Sequence, residues 1–277
     1  MPMPYKITAS IVVFKNSPKL VWAAVRSFLE SYPEGFLFLI DNSPNDIIGN
    51  HFGNEPRVLH IFNNRNMGFG AAHNIALKKS EEIGATYHLV LNPDVYFENK
   101  VIPELISLMD GHPDVGLVMP KVLYPDGRIQ PLCKLLPSPV NLFLRRFFPF
   151  SKRLLGSTNH RYEMKFSGYN KTMDVPCLSG CFMLLRNACL RKTGIFDEDI
   201  FLYTEDIDLT RRIHKHFRTV FYPKVSIYHV HERGSYKSLL PFLFHIRSTV
   251  TYFNKWGWFY DPERKHINRT TIMKLTQ

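Results

Sequence analysis

The sequence predicts an α/β domain with a mainly parallel central sheet and helices on both faces. Three observations predict it. Short, β-rich apolar runs alternate with helix-period segments through the first half of the chain, the pattern of strands joined by covering helices. The runs Ile7–Phe14 (ITASIVVF) and Phe36–Ile40 (FLFLI) are almost continuously apolar, as strands buried on both faces are. Polar residues collect just after such runs, at Asn16, Asp41 and Asp94, and in open α/β sheets the ligand crevice lies outside the carboxyl ends of the strands.

Taken in order, Ile7–Phe14 is too short for a helix and is the first strand. Ser17-Pro18 supplies an N-cap with proline at the first helical position, and Val21, Val25, Phe28 and Leu29 follow at helical spacing. Phe36–Ile40 is the second strand and Val58–Phe62 the third. Ala71–Ile83 is a helix, and Tyr87–Leu91 is a fourth strand ending at Asn92-Pro93-Asp94. Val101–Met109 is a helix and Val115–Met119 a strand. Tyr124-Pro125-Asp126-Gly127 signals a hairpin turn. Residues 131–173 are irregular and basic. Order returns over Asp174–Leu185, and Thr204–His216 is a helix with Leu209, Ile213 and Phe217 on one face. Short strands are expected at Val220–Tyr222 and Val225–His229, then a long aromatic and basic helical segment over Tyr236–Trp258. No internal repeat is visible.

The composition, 45% hydrophobic and 21% charged over 277 residues, is that of a folded domain and excludes disorder for most of the chain. The start, MPMPYKITASIVVF, lacks a basic stretch, a long apolar core and a small-residue cleavage site, so no signal peptide is expected. No window approaches about 18 uninterrupted apolar residues, so no transmembrane helix is expected. Cys133, Cys177, Cys181 and Cys189 fit no usual zinc spacing, and reduced cytosolic thiols are expected. The net charge of +11 points to an anionic partner without choosing among nucleic acid, membrane and phosphorylated substrate. A nucleic-acid binder would show a binding motif or a basic stripe on one element, and neither is present. The glycine fingerprint of a dinucleotide-dependent oxidoreductase is missing.

Four clusters carry chemistry. Asn92-Pro93-Asp94 sets a carboxylate at a strand end in a proline-stiffened turn. Such an oxygen suits a divalent ion beside a diphosphate, although an aspartate capping the next turn has the same sequence. Thr204-Glu205-Asp206-Ile207-Asp208 places three acids at a predicted helix start, where the dipole favours negative charge. That preference explains one or two of them. Apolar Ile200-Phe201-Leu202 and Ile207 on the flanks set the carboxylates near the core, where a general base can be tuned. Asn66-Met67-Gly68-Phe69-Gly70 precedes a helix but lacks both G-x-G-x-x-G spacing and a helix-start lysine, so its glycines serve a phosphate loop or only a tight turn. His229 and His231, beside Arg233, follow a strand and are metal or diphosphate contacts or structural histidines.

The pieces SIVVF, IDNSPND, NNRNMGFGAAHNIAL, LVLNPDV, VPCLSGCFMLLRNACLRKTGIFDEDIFLYTEDIDLTRRI and HVHERGSYKS stand in this order, with His245 and Ser248 behind them. The ordered set resembles the glycosyltransferase family 2 catalytic domain, of GT-A fold. Within that family it resembles the bacterial rhamnosyltransferase-like branch, whose members build O-antigens and other cell-surface polysaccharides such as lipopolysaccharide. The likeness runs from about Ile7 to Trp258. It implies a catalytic domain over 1–235, with 131–173 as a basic insertion touching acceptor or membrane, and a C-terminal helical extension over 236–277 packed on or beside it.

The resemblance also implies roles. Phe14, Asn16, Asp41 and Asn42 would line the nucleotide pocket, and Asn66, Gly68, Phe69, Gly70 and Asn74 would close over nucleotide and sugar. Asn92-Pro93-Asp94 stands where the family has an Asp-x-Asp metal motif, so Asp94 is its one carboxylate here. His229 matches a histidine that completes the metal site in some relatives. Ser179 and Gly180 would shape the acceptor side, with Asp208, His231 and Arg233 near acceptor or diphosphate. Asp206 is the implied general base, and Glu205 is the other member of the pair. The implied reaction is one inverting displacement, with Mg2+ or Mn2+ and basic groups stabilising the departing nucleoside diphosphate. The donor expected first is dTDP-L-rhamnose, with a UDP-hexose as the alternative. The acceptor is a polyprenyl-diphosphate-linked sugar or a growing oligosaccharide. A catalytically inactive assembly subunit is the competing reading, which Asn92 permits and the Glu205-Asp206 pair opposes.

Cations beside bulky aromatics recur at Arg145–Phe150 with Lys152 and Arg153, and again over Lys237–Trp258. That mixture suits the headgroup region of an anionic membrane, so a peripheral place on the inner face of the cytoplasmic membrane is expected. The competing expectation is that the C-terminal aromatics are core. No nucleic-acid partner is expected, and no oligomeric state is implied.

Overall fold

The computed structural model describes residues 5–142, 156–230 and 239–276. β1 (Ile7–Val13) lies between β2 (Phe36–Asp41) and β4 (Tyr87–Leu91), parallel to both, and β3 (Val58–Phe62) adds outside β2, also parallel. The apolar runs dictate this placement: every residue of β4 is buried, and in β1 only Val12 is partly open. The chain leaves β1 on one side for β2 and reaches β4 on the other. The strand order therefore switches at β1, where an open sheet forms its crevice. The register sets Val13 beside Asp41 and Ile11 beside Leu91. The turn at Asn92–Asp94 thus ends on the same rim as Asn16 and Asp41.

Beyond β4 the sheet is mixed. β8 (Phe182–Arg186) runs antiparallel between β4 and β6 (Val115–Leu123). β9 (Arg218–His229) is parallel to β6, and β5 (Val95–Phe97) and β7 (Met173–Asp174) pair with it antiparallel. The path through the sheet is β3-β2-β1-β4-β8-β6-β9-β5. β9 is one strand where two short ones were expected. An irregularity takes up Pro223 and its neighbours: Pro120 pairs with Tyr222, yet Lys121 pairs with Ser226, as bulges allow. β5 follows the Asn92–Asp94 turn directly and was not foreseen. The predicted hairpin forms, with Leu123 bridged antiparallel to Ile129.

α1 (Pro18–Ser31) starts at its expected cap, where the Ser17 side chain accepts from the Leu20 N–H. With α4 (Val101–Gly111) it covers the sheet face that carries Ile7, Ala9, Ile11 and Val13. After the short α2 (Gly49–Phe52), α3 (Phe69–Glu82) covers the other face. There a small apolar cluster of Phe38, Ile40, Ala72 and Ala76 sits beside a buried polar chain. Thr8 Oγ1 donates to Ser80 Oγ and meets His88 Nδ1, both at 2.7 Å. Ser10 Oγ meets His88 Nε2 at 2.8 Å and His73 Nδ1 at 2.7 Å. Burial pushes both imidazoles down, His88 to about 3, so the chain is neutral.

Between β6 and β8 the chain forms α5 (Gly156–Tyr162) and a 3-10 turn at Lys165–Ser167. Tyr169 ties this stretch down: its hydroxyl donates to the Glu163 carbonyl at 2.6 Å and accepts from the Cys133 N–H at 3.1 Å. α6 (Asn187–Thr193) and α7 (Glu205–His214) follow, then α8 (Leu239–Trp256) and α9 (Pro262–Thr276). The C-terminal pair is locked to α7 by fully buried Arg211. Its guanidinium holds Asp261 in two parallel bonds of 2.8 Å, meets Glu263 at 2.8 Å and stacks 4.1 Å from the Trp256 ring. Tyr252 and Phe253 are core, whereas Phe259 and Tyr260 stand in solvent. All four cysteines are free and buried. Among the described residues no helix is long and apolar enough to cross a membrane.

Candidate active site

The predicted donor-side residues converge on the rim of β1, β2 and β4. Phe14 is exposed there, and Asn16 folds back so that its Oδ1 accepts the Phe14 N–H at 2.9 Å. A cavity of about 310 Å³ opens beside them, lined by Lys15, Asn16, Ser43 and Ile47 among others. Asp41, at the end of β2, is fully buried. One carboxylate oxygen accepts the Ser43 N–H at 2.8 Å, and the other has no hydrogen-bond partner. A buried bare carboxylate oxygen is costly, which makes Asp41 ready to receive an N–H or O–H from a ligand. Asp46 and His60 stand near it. Their ligand atoms and that of Asp41 lie within 4.8 Å of one another, the one such trio among the described residues. The three could hold a cation at the nucleoside end of the rim.

The Asn66–Gly70 loop is built for close approach rather than as a P-loop. Asn42 Nδ2 donates to the Gly68 carbonyl at 3.1 Å, and Asn66 Oδ1 accepts the Gly68 N–H at 3.0 Å. Gly68 has φ +86°, and a Cβ there would lie 2.5 Å from the Phe201 carbonyl, so glycine is required on both counts. Phe69 N–H then donates to that same carbonyl at 3.0 Å. Gly70 backs against Phe196 in the same way. Asn74 is fully engaged one turn later: its amide both donates to the Phe196 carbonyl and accepts the Phe196 N–H, at 2.9 and 3.0 Å. Its work is to clamp the 196–201 loop over α3.

The antiparallel pairing of β5 with β9 sets Val95 opposite His229. Asp94, one residue earlier, therefore meets that ring, with Oδ1 3.3 Å from Nε2. Gln130 locks the imidazole. Its amide nitrogen donates to the His229 carbonyl at 2.7 Å, which leaves its oxygen facing Nδ1 at 3.0 Å. In the neutral ring the proton then sits on Nδ1 and the Nε2 lone pair faces Asp94, an assignment made from the hydrogen-bond network. With the ring neutral, an oxygen and a nitrogen donor face the same point. One oxygen and one nitrogen donor, the latter buttressed through its other ring N–H, fit a divalent ion. Gln130 gave no motif signal; it lay outside every pattern read from the sequence.

The base side is reached through one dipeptide. Cys181 accepts the Asn92 N–H at 3.0 Å, while Gly180 N–H donates to Asp206 Oδ2 at 2.9 Å. Gly180-Cys181 thus joins the Asn92–Asp94 turn to the start of α7. Ile207 N–H donates to the other Asp206 oxygen at 2.8 Å. Burial pushes the Asp206 carboxyl above the usual range, and the nearby Lys134 charge and these two N–H groups pull it partly back. Glu205 is more deeply placed, with Oε2 buried and unpartnered. Burial and the adjoining Asp206 charge push it up to about 8. Of the two, Asp206 has both oxygens hydrogen-bonded and is half-buried, so it is the more open to solvent.

Asp208, two residues on, has a different fate. It is fully buried and saturated by Arg212, Lys255 and the Trp256 indole N–H at 2.8 to 2.9 Å. Its carboxylate is the clamp of α8 onto α7. Ser179 accepts the Cys181 N–H at 3.4 Å. His231 and Arg233, like the basic segment 143–155, lie outside the described residues. Thr204 and Leu202, beside the acid pair, are tethered to buried Ser248: the Thr204 hydroxyl donates to its carbonyl and the Leu202 N–H donates to its hydroxyl. A second hollow, of about 620 Å³, lies under α9 at the other end of β9, and no predicted site residue lines it.

A family model described as glycosyltransferase like family 2 matches residues 50–240. The chain belongs to this family. The match spans the glycine loop, the Asn92–Asp94 turn and the Glu205-Asp206 pair, so the likeness drawn from the motifs holds. Among curated family relatives, N-acetylglucosaminyl-diphospho-decaprenol L-rhamnosyltransferase of Mycobacterium tuberculosis, in two strains, is 28% identical over 184 residues. The alignment takes in 63% of this chain, and the chain spans 59% of the length of those relatives. Solved structures share the GT-A fold at low identity. S. aureus TarS 1-349 superposes with TM-score 0.55 at 15% identity, covering 81% of this chain and 60% of that one. The mannosyltransferase PcManGT from Pyrobaculum calidifontis, in complex with GDP-Man and Mn2+, gives 0.57 at 13% identity, covering 98% and 75%. GalNAc-T7 with UDP, GalNAc and Mn2+ gives 0.59 at 13% identity, covering 81% and 43%.

Proposed function

We propose that this family 2 member is an inverting glycosyltransferase that moves a sugar from a nucleoside diphosphate sugar to a lipid-diphosphate-linked acceptor. L-rhamnose is the sugar proposed first, on the strength of the mycobacterial relative, and dTDP is the nucleotide proposed with it from the motif resemblance. The observation that carries the reading is the Gly180-Cys181 dipeptide, which holds Asp206 with one residue and the Asn92–Asp94 turn with the next. This linkage supports a reading in which a proton acceptor and a cation-ready pair work on one substrate, as a displacement at an anomeric carbon requires.

In this reading the nucleoside lies along the rim from Phe14 to Asp41, and the bare Asp41 oxygen takes a donor group of the base or ribose. Gly68 and Phe69 hold their loop close over the diphosphate and sugar. Asp94 and His229 would hold a divalent ion, Mg2+ or Mn2+, whose positive charge offsets that of the leaving diphosphate when bound. Asp206 accepts the proton of the attacking hydroxyl at Oδ1 or Oδ2 while the backbone N–H groups fix its orientation. Glu205 stays protonated beside it and so does not compete for that proton. The anomeric configuration inverts, and no covalent enzyme intermediate is formed. Attachment to an anionic membrane surface through the basic, aromatic segments belongs to the same proposal.

The test is a thermal-shift screen of dTDP, UDP, GDP and CMP, each with and without Mn2+, followed by transfer assays with the nucleotide that binds. A ligand that binds only the folded state raises Tm by mass action. A rise with one diphosphate, enlarged by Mn2+, is expected. A folded protein that responds to none of the four contradicts the reading.

A further inference from the structure

Among the described residues, Lys134 makes no hydrogen bond or ion pair with the groups assigned to the donor or the metal. The segment from Gln130 to Lys134 crosses between the two acidic sides of the cleft. At one end Gln130 grips His229. At the other, Lys134 N–H donates to the Cys177 carbonyl at 3.0 Å, in an isolated antiparallel bridge. Cys177 is three residues before Gly180, whose N–H holds Asp206. Cys133 and Leu135, on either side of Lys134, are buried. In an extended segment successive side chains alternate, so Lys134 turns away from them, and it is half-buried. Among the described residues its ammonium makes no ion pair or hydrogen bond. The Cys177 bridge puts Lys134 beside the stretch that leads to Gly180 and Asp206, and its charge pulls the Asp206 carboxyl down.

A half-buried ammonium with no close protein partner is open to an anionic group of a ligand. The carboxylate it faces is already held by two backbone N–H groups and must stay open to a hydroxyl. The remaining place for an anion is on the substrate. We propose that Lys134 is the anion-binding residue of the acceptor subsite and takes a phosphate of a diphosphate ester joined to the sugar whose hydroxyl Asp206 deprotonates. This rests on the transferase reading and deepens it. A cation so near the base reads the phosphate only if it lies about one sugar ring from the attacking hydroxyl. The acceptor is then a monosaccharide diphosphate lipid, and the distal end of a long glycan would leave Lys134 unused. The donor's leaving diphosphate offers the same chemistry, but its place is with Asp94 and His229, and Lys134 is fastened to Cys177 on the base side.

The experiment compares the wild type with Lys134→Met and Lys134→Arg, each checked for an unchanged melting curve. The acceptors are a short-chain polyprenyl diphosphate N-acetylglucosamine and the phosphate-free alkyl glycoside of the same sugar. With the diphosphate acceptor, Lys134→Met should raise the acceptor KM about tenfold or more, the scale of one charge-assisted contact, and Lys134→Arg should restore most of it. With the alkyl glycoside the two variants and the wild type should share one high KM. The donor KM and inhibition by the product nucleotide should not move. If Lys134→Met does not fold, Lys134→Gln takes its place. An unchanged acceptor KM overturns the proposal, as does a loss confined to donor KM or nucleotide inhibition, which would set Lys134 on the leaving group. A wild type that binds no nucleotide and transfers to neither acceptor overturns the transferase reading and the inference with it. A wild type active on both acceptors with equal KM overturns the inference alone.

Discussion

The two acidic sides of the cleft are held by opposite means. Asp94 faces another side chain, His229, and that ring is fixed by a third, Gln130. Asp206 is held by the backbone N–H groups of Gly180 and Ile207, and its neighbour Glu205 keeps a bare buried oxygen. The first arrangement brings an oxygen and a nitrogen donor to one point, a pair suited to a cation. The second has two carboxylates sharing a dry niche, and a proton relieves it. In the proposed reading, cation and proton chemistry are separated by the way the acids are supported, although each side is built from the same kind of carboxylate. Asp208 sharpens the point. It lies two residues from Asp206 on the same helix, yet Arg212, Lys255 and Trp256 saturate it.

The comparison can be broken most sharply at the base side. Asp206→Asn should lower the rate of transfer about a thousandfold, within the range of general-base catalysis, with Tm unchanged. Glu205→Gln should cost about tenfold or less, because the glutamate acts there in its protonated form. Equal losses in the two variants, measured by single-turnover transfer, would merge the roles assigned to the pair. Asp208→Asn should act on stability instead, lowering Tm by leaving Arg212 and Lys255 unbalanced.

The next largest effect is expected far from the chemistry. Arg211→Ala breaks a buried pair that ties α7 to α9 and should cost about 3 to 5 kcal/mol in urea unfolding. A cost below about 1 kcal/mol, the scale of a surface ion pair, would mean that the C-terminal helices are not held by this clamp.

The remaining effects are those of pH on stability, and they have opposite signs in two places. Glu205 is raised in the folded state, so folding favours its protonated form. Its stabilisation is full below the unfolded value near 4.5 and is lost as pH rises toward about 8. Glu205→Gln should flatten that alkaline slope. His88 and His73 are lowered by burial, so the folded state resists protonating them. Stability is full above the unfolded value near 6.5 and falls as pH drops below it, continuing down to about 3 for His88. His88→Asn should flatten the acid slope in a series of urea melts. Wild-type and variant curves of the same slope would take these groups out of the pH response.

The parallel half of the sheet was legible because its signals are local. Continuous apolar runs, the Ser17-Pro18 cap and the polar residues after β1, β2 and β4 each sit within a few residues of what they predict. The two acid clusters were legible for the same reason. What escaped the sequence depends on distant partners. Asp208 could not be told from Asp206 by spacing, since its neutralising Lys255 and Trp256 come from α8. Asn74, expected over the nucleotide, is engaged by Phe196, which is 122 residues away. Gln130 and Lys134 sat at the edge of a stretch that reads as irregular and basic, and only the β9 and Cys177 pairings reveal their direction. β5 is three residues long, too short for any period to show.

The division of labour between the two sides is tested most directly by calorimetric titration of dTDP, with and without Mn2+, into the wild type, Asp206→Asn and Asp94→Asn. Mn2+ should tighten binding to the wild type and to Asp206→Asn alike, and Asp94→Asn should lose the gain. If Asp206→Asn loses the response to metal while Asp94→Asn keeps it, the cation and proton sides have been assigned the wrong way round.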